Sequence, residues 1–167
     1  MGKVTNVILA GLGGQGVIKA SDILADAALR AGLDVKKAEV HGMSQRGGSV
    51  TSDVRFGAKV LSPMVPRGEA DFLVVLSPSE VEVARPLLRP GGVLIRPDLV
   101  DEAALANRKS LNVALLGALS RHLAIPEAAF LAALKAALPE RLHGVNEQAF
   151  ALGRAAAARG PVGEARP

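Results

Sequence analysis

Cysteine is absent from the 167 residues. Disulfides and cysteine-ligated iron–sulfur clusters are therefore excluded for this chain. Tryptophan and tyrosine are absent too, and aromatic residues make up only 2% of the sequence. A core must be built from Leu, Val, Ile and Ala, and there are no aromatic platforms on which a single-stranded nucleic acid could stack its bases. Histidine is scarce. His41, His122 and His143 stand far apart without metal-ligand spacing, so no metal site is expected. No apolar run reaches membrane-spanning length without a charge, and Met1-Gly2-Lys3-Val4 leads straight into a strand pattern with no signal-peptide character. The expectation is a cytoplasmic protein with no membrane partner. Long runs of like charge are also missing. The net charge of +4 is carried by scattered basic residues, a solvated surface rather than a nucleic-acid footprint. A basic balance would still suit a polyphosphate ligand or an acidic partner.

What is present is a chain 49% hydrophobic, enough for one globular domain with a real core. Its organising stretch is Val7-Ile8-Leu9-Ala10-Gly11-Leu12-Gly13-Gly14-Gln15-Gly16-Val17. Val7 to Ala10 reads as a strand buried on both faces of a parallel sheet. Gly11, Gly13 and Gly16 give the spacing G-x-G-x-x-G immediately before a helical pattern. Glycine allows positive φ in a tight turn and lets a ligand approach the backbone. The helix N-terminus behind it offers unpaired N–H groups and a positive dipole end to an anion. The same spacing also serves a strand-to-helix turn with no ligand.

Further along, Val17 to Ala31 reads as an amphipathic helix stopped by Gly32, and Leu33 to Val40 as a second strand joined to the first by a right-handed parallel crossover. Glu39, near the end of that strand, is placed either to hold a ribose hydroxyl or simply to face solvent. Val50 to Phe56 alternates as a strand with one exposed face. The Gly57-Ala58 pair suggests that Lys59 to Leu61 returns as a hairpin. Ala70 to Leu76 is another buried strand, and Ser77-Pro78-Ser79-Glu80 reads as a capping box opening a helix to about Leu88. Gly92 to Ile95 is a short strand. From Asp101 the pattern is helical, with helices over Asn112–Leu123, from Pro126 to near Pro139, and from Asn146. Together these predict an α/β fold: three-layer and Rossmann-like, with a mostly parallel sheet, an antiparallel hairpin and a helical C-terminal part. Residues 1–153 form one domain and 154–167 a flexible tail.

The second unusual stretch is His41-Gly42-Met43-Ser44-Gln45-Arg46-Gly47-Gly48-Ser49-Val50. It is rich in hydrogen-bond donors and follows the C-terminal end of a strand, the edge where ligands bind in open parallel sheets. Arg46 before two glycines could offer a guanidinium and backbone N–H groups to an anion.

With Gly11-Leu12-Gly13-Gly14-Gln15-Gly16-Val17 and the His41–Val50 stretch both in place, the chain resembles the gamma-type domain of the 2-oxoacid:ferredoxin oxidoreductases, and within it the indolepyruvate branch. The first motif is shared across the family, whereas the full second motif is particular to that branch. Asn112-Val113-Ala114-Leu115-Leu116-Gly117-Ala118-Leu119 and Asn146-x-x-Ala149-Phe150-x-x-Gly153 resemble it as well. The resemblance implies a subunit with no catalytic residue of its own. The holoenzyme it implies decarboxylates an aryl-2-oxoacid oxidatively to an acyl-CoA and reduces ferredoxin. Thiamine diphosphate, magnesium and iron–sulfur clusters would lie in a larger alpha subunit. This domain would contact CoA or shape the active-site wall through Gly11, Gly13, Gly14, Gln15 and Gly16 and through His41, Ser44, Gln45, Arg46, Gly47, Gly48 and Ser49. Deprived of its partner, such a subunit is expected to expose an apolar patch and could form a homodimer. The alternatives are a free-standing Rossmann-like nucleotide-binding protein, or the gamma subunit of a pyruvate or 2-oxoglutarate enzyme.

Overall fold

The computed structural model describes residues 2–41, 48–159 and the backbone of 163–164. The elements, in chain order, are β1 (Thr5–Leu12), α1 (Val17–Arg30), β2 (Asp34–His41), β3 (Ser49–Gly57), β4 (Ala70–Val75), α2 (Val81–Ala84), β5 (Leu88–Ile95), α3 (Leu111–Ser120), α4 (Glu127–Ala137), α5 (His143–Arg159) and β6 (Gly163–Glu164). The strands form one sheet in the order β2-β3-β1-β4-β5-β6. β1, β2, β4 and β5 run one way, and β3 and β6 run against them. The fold is the mostly parallel α/β arrangement expected.

The hairpin is not where the sequence suggested. β3 pairs antiparallel with β2 on one side and with β1 on the other, so both its edges are taken. Residues 59–61 therefore have no edge of β3 to join. They leave the sheet, with the Val60 N–H donating to Asp34 Oδ2 at 2.8 Å. β2 is parallel in direction to β1, but β3 is inserted between them, so the two are not neighbours.

Alternation along β1 sorts the core onto two faces. Val7 and Leu9 pack with α1, α3, α4 and α5, whereas Ile8 and Ala10 pack with Val65, Val81, Ala84 and Leu88. One outer side thus holds four helices, α1 and α3 on the sheet with α4 and α5 packed against them, and the other is thin, made of a loop and the single turn of α2. α3 lies in the thick layer with every residue from Asn112 to Ser120 buried, which is why its sequence is apolar nearly all round. Glycines let it approach α5. A Cβ on Gly117 would strike the Phe150 carbonyl, and one on Gly153 the Ala114 carbonyl. The two C-terminal motifs of the sequence are the two sides of this crossing.

Four local expectations are corrected. Ser77 and Glu80 do not form a capping box: the Ser77 hydroxyl pairs with Ser79 at 3.0 Å, and Glu80 is drawn instead to Ser49. The helix there is reduced to α2 between 3-10 turns, because Pro86 cannot donate to a continued ladder. Residues 101–110, read as the start of the helical part, carry two 3-10 turns, Glu102–Ala104 and Arg108–Ser110, rather than an α-helix. Residues 154–159, placed in the tail, are the end of α5, where Arg154 Nη1 donates to Ser120 Oγ at 2.8 Å.

Candidate functional site

β1 and β4 are parallel neighbours, yet from β1 the chain moves to β3 and β2 on one side before returning to β4 on the other. α1 lies over one face of the sheet, and the Pro78–Ala84 segment lies over the other. The carboxyl ends of β1 and β4 therefore face a crevice at a switch of strand order, the place where open α/β sheets bind ligands. The glycine turn sits there.

Each residue of the turn has a distinct job. At Gly11 a Cβ would meet Gln15 Oε1 at 2.8 Å and Val17 Cγ2 at 2.9 Å, so the packing leaves no room for one. The Gln15 side chain folds back, and its Oε1 accepts the Leu12 N–H at 2.7 Å, bracing the turn. Gly14 has φ +88° and open space where a side chain would be. Gly16, at φ 83°, is the N-cap of α1. Asn112 Nδ2, from the buried α3, donates to its carbonyl at 3.1 Å and occupies the place of its missing side chain. No side chain caps α1 and no acid lies in its first turn. Its leading N–H groups have no intrahelical acceptor and remain suited to an anion.

Gly48 and Ser49, from the end of the second motif, lie at the same place. Leu12 pairs with Ser49 across the sheet, and the Gly13 N–H donates to the Gly48 carbonyl at 3.0 Å. The Ser49 hydroxyl donates at 2.8 Å to Glu80 Oε2, whose residue is buried beside the crevice. His41, the last residue of β2, is exposed and lines a cleft of about 390 Å³ with Gly13, Gly14, Lys19 and Val50. A second cleft of about 390 Å³ opens on the other side of the turn, between Gly14, Gln15 and Gly16, Pro78, and the Glu102 and Arg108–Lys109 segments. Gly11, Gly13, Gly14, Gln15, Gly16, His41, Gly48 and Ser49 are thus gathered at one sheet edge. Ser44, Gln45, Arg46 and Gly47 lie outside the described residues.

Sequence reasoning missed Glu80, Asn112, Arg108 and Lys109 as members of this neighbourhood. The two cations directly before the buried helix α3 were the available signal. Glu39 is not a free acid: Lys37 Nζ lies 2.5 Å from its Oε1 and 2.7 Å from Asp22 Oδ1. Burial works against the Lys37 charge, but these two carboxylates outweigh it and raise its pKa. Among the described residues no three His, Cys, Asp or Glu side chains gather to hold a metal, and no helix is long and apolar enough to cross a membrane.

Fold and site together define an α/β domain with an anion-receptive glycine turn at a sheet switch point. The family model for pyruvate ferredoxin/flavodoxin oxidoreductase matches residues 6–156. The chain belongs to that family. The indolepyruvate oxidoreductase subunit IorB of Thermococcus kodakarensis is 47% identical over 92 residues, 55% of this chain and 46% of that protein. IorB of Archaeoglobus fulgidus is 52% identical over 75 residues, 45% of this chain and 37% of that protein. The matched region thus spans about half or less of these relatives. Among solved structures, the keto/oxoacid ferredoxin oxidoreductase gamma subunit from Geobacter sulfurreducens PCA superposes with TM-score 0.81 at 24% identity, covering 93% of this chain and 99% of that one. The 2-oxoglutarate:ferredoxin oxidoreductase from Magnetococcus marinus, with 2-oxoglutarate, coenzyme A and succinyl-CoA bound, gives TM-score 0.83 at 22% identity, over 99% of this chain and 33% of that one. These two likenesses define the fold.

Proposed function

We propose that this chain is a small subunit of a 2-oxoacid:ferredoxin oxidoreductase acting on indolepyruvate or a related aryl-2-oxoacid, and that it binds CoA and closes the active site against a larger alpha subunit. The observation that carries the reading is the Gly13–Gly48 hydrogen bond, which holds the two sequence motifs together at the carboxyl edge of β1. Sequence identity to IorB proteins of 43–52% favours the indolepyruvate branch over the gamma subunits of pyruvate/ketoisovalerate enzymes, at 34–36%.

The residues fit a CoA phosphate arm. The Gly14 backbone is bare of side chain and open, the first turn of α1 is uncapped, and Arg108 and Lys109 border the same cleft. Backbone N–H groups and cations of this kind neutralise phosphate without a metal. Arg46 and its flanking residues supply further donors by sequence position. The chain's own task is then to bind and orient CoA and to keep water, its rival for the acyl group, out of the site. Iron–sulfur clusters do not fit here, since there is no cysteine to ligate them. Those clusters, thiamine diphosphate and magnesium are assigned to the alpha subunit, with ferredoxin as electron acceptor and the cytoplasm as compartment.

A free-standing dinucleotide-binding role is disfavoured by Glu39. β3 separates its strand from β1 by two strand spacings, about 10 Å, and Lys37 already pairs with it. The test is a CoA titration of the reconstituted two-subunit enzyme carrying Arg46→Ala. A fall in CoA affinity with the 2-oxoacid KM unchanged is expected; unaltered affinity and turnover would remove the assignment.

A further inference from the structure

A cavity larger than either cleft at the glycine turn lies at the other end of the sheet, and nothing in the proposed function uses it. It measures about 660 Å³ and is bounded by Thr5, at the start of β1, and by Asp71 and Phe72, near the start of β4. The glycine turn lies around the far end of β1, whose last residue, Leu12, is seven residues on from Thr5, or about 23 Å away along the strand. The cavity is therefore a separate place on the molecule.

Its chemistry is asymmetric. The walls are apolar, from Leu33, Phe56, Phe72 and Ile125. The imidazole of His122 lies against Phe72, ring centroids 5.8 Å apart. Burial and the nearby Arg121 charge lower the His122 pKa, so at neutral pH it offers a neutral ring. The one carboxylate, Asp71, is already satisfied: Oδ2 accepts the Asn6 N–H and Oδ1 the Arg89 Nε, both at 2.8 Å. Arg89 thus neutralises Asp71, and Lys3, 3.9 Å from the same oxygen with a side chain 77% exposed, remains as surplus positive charge.

We propose that this cavity binds a small apolar carboxylate, with its hydrocarbon body against Phe72 and Ile125 and its anionic head at Lys3 and the Arg89 guanidinium. A volume of this size encloses a molecule with one aromatic ring. One surplus cation matches a monoanion better than a phosphate ester, and apolar walls reject a fully hydrated anion. The adjacent Phe72 and His122 rings favour an aromatic body.

The test uses the full chain, alone and in complex with its larger subunit, and 3-phenylpropanoate as probe, followed by calorimetry and by the ring resonances of Phe72 and His122. Saturable binding is expected, with shifts at both rings and no competition from CoA. The uncharged 3-phenylpropanamide should bind about tenfold more weakly, the loss of one charge-assisted contact. Lys3→Gln, whose exposed side chain leaves the fold intact, should weaken the carboxylate and not the amide. Equal binding of acid and amide, no effect of Lys3→Gln, or absence of saturable binding would overturn the proposal. So would loss of binding on adding the larger subunit, which would mean that a protein segment fills the cavity.

Discussion

At Gly117 and Gly153 the place of the missing side chain is filled by the backbone of another helix; at Gly14 it is empty. The first pair lies where α3 crosses α5 in the thick helical layer, and the second case lies at the carboxyl edge of β1. Both regions are glycine-dependent, and both stand out in the sequence for the same reason. They differ in what the glycine admits. In the crossing it admits protein, so its value is stability. In the turn, at Gly14, it leaves the backbone open to approach, so under the proposed function its value is a ligand. Gly16 lies between the two, since Asn112 of α3 fills its side-chain position and ties the turn to the buried helix.

Substitution separates these roles. Gly153→Ala puts a methyl into the Ala114 carbonyl and forces α3 and α5 apart. A loss of about 3 kcal/mol is expected in a urea titration, at the upper end for overpacking. CoA affinity of whatever remains folded should be unchanged; a normal midpoint would break the comparison. Gly16→Ala should cost about 2 kcal/mol, from left-handed strain and displacement of Asn112. Adding Asn112→Ala should then cost less than it does in the wild-type background, and strict additivity would show that the two residues do not couple. Gly14→Ala meets no atoms, so only its φ is strained, and about 1 kcal/mol of stability is lost. Its CoA affinity in the reconstituted enzyme should nevertheless fall about tenfold, because the methyl projects where the ligand approaches. Large instability with unaltered affinity would assign Gly14 to structure instead.

The smallest effect serves as a control outside both regions. Burial raises the pKa of Asp53 against the pull of the Val65 N–H and the Arg55 charge. The folded state therefore holds this proton to higher pH than the unfolded state. Ionising the group costs stability above its folded pKa, and the cost disappears as pH falls below the unfolded value. Asp53→Asn keeps the acceptor for Val65, at 2.9 Å, and removes the charge. It should gain under about 1 kcal/mol at pH 7 and nothing near pH 3 in thermal melts. A loss at pH 7 would contradict the sign.

Much of this was legible in the sequence because buried strands and helix stops are local signals. β1, α1 and β4 fall within a residue or two of where periodicity puts them, and the described end of the second motif, Gly48, meets Gly13 of the first. The hairpin was misplaced because Gly57-Ala58 is a good turn in isolation, and only the sheet order shows that both edges of β3 are occupied. Ser77 and Glu80 have capping-box spacing, but Ser49, 31 residues away, captures the carboxylate. The roles of Asn112 and Gly153 were visible only as motif, because neither a side-chain bond to a turn 96 residues away nor a backbone approach between helices leaves a periodic trace. Arg108 and Lys109 looked like ordinary surface charge until the fold set them beside Gly14.

The proposed function requires the carboxyl edge of β1 to grip a phosphate-bearing ligand. Hydrogen exchange of the two-subunit enzyme with and without CoA reads that edge directly. The prediction is slowed exchange at the amides of Gly13–Ile18 and 108–111 on adding CoA, with no change at the start of β1. Unchanged exchange around Gly14 at saturating CoA would contradict it.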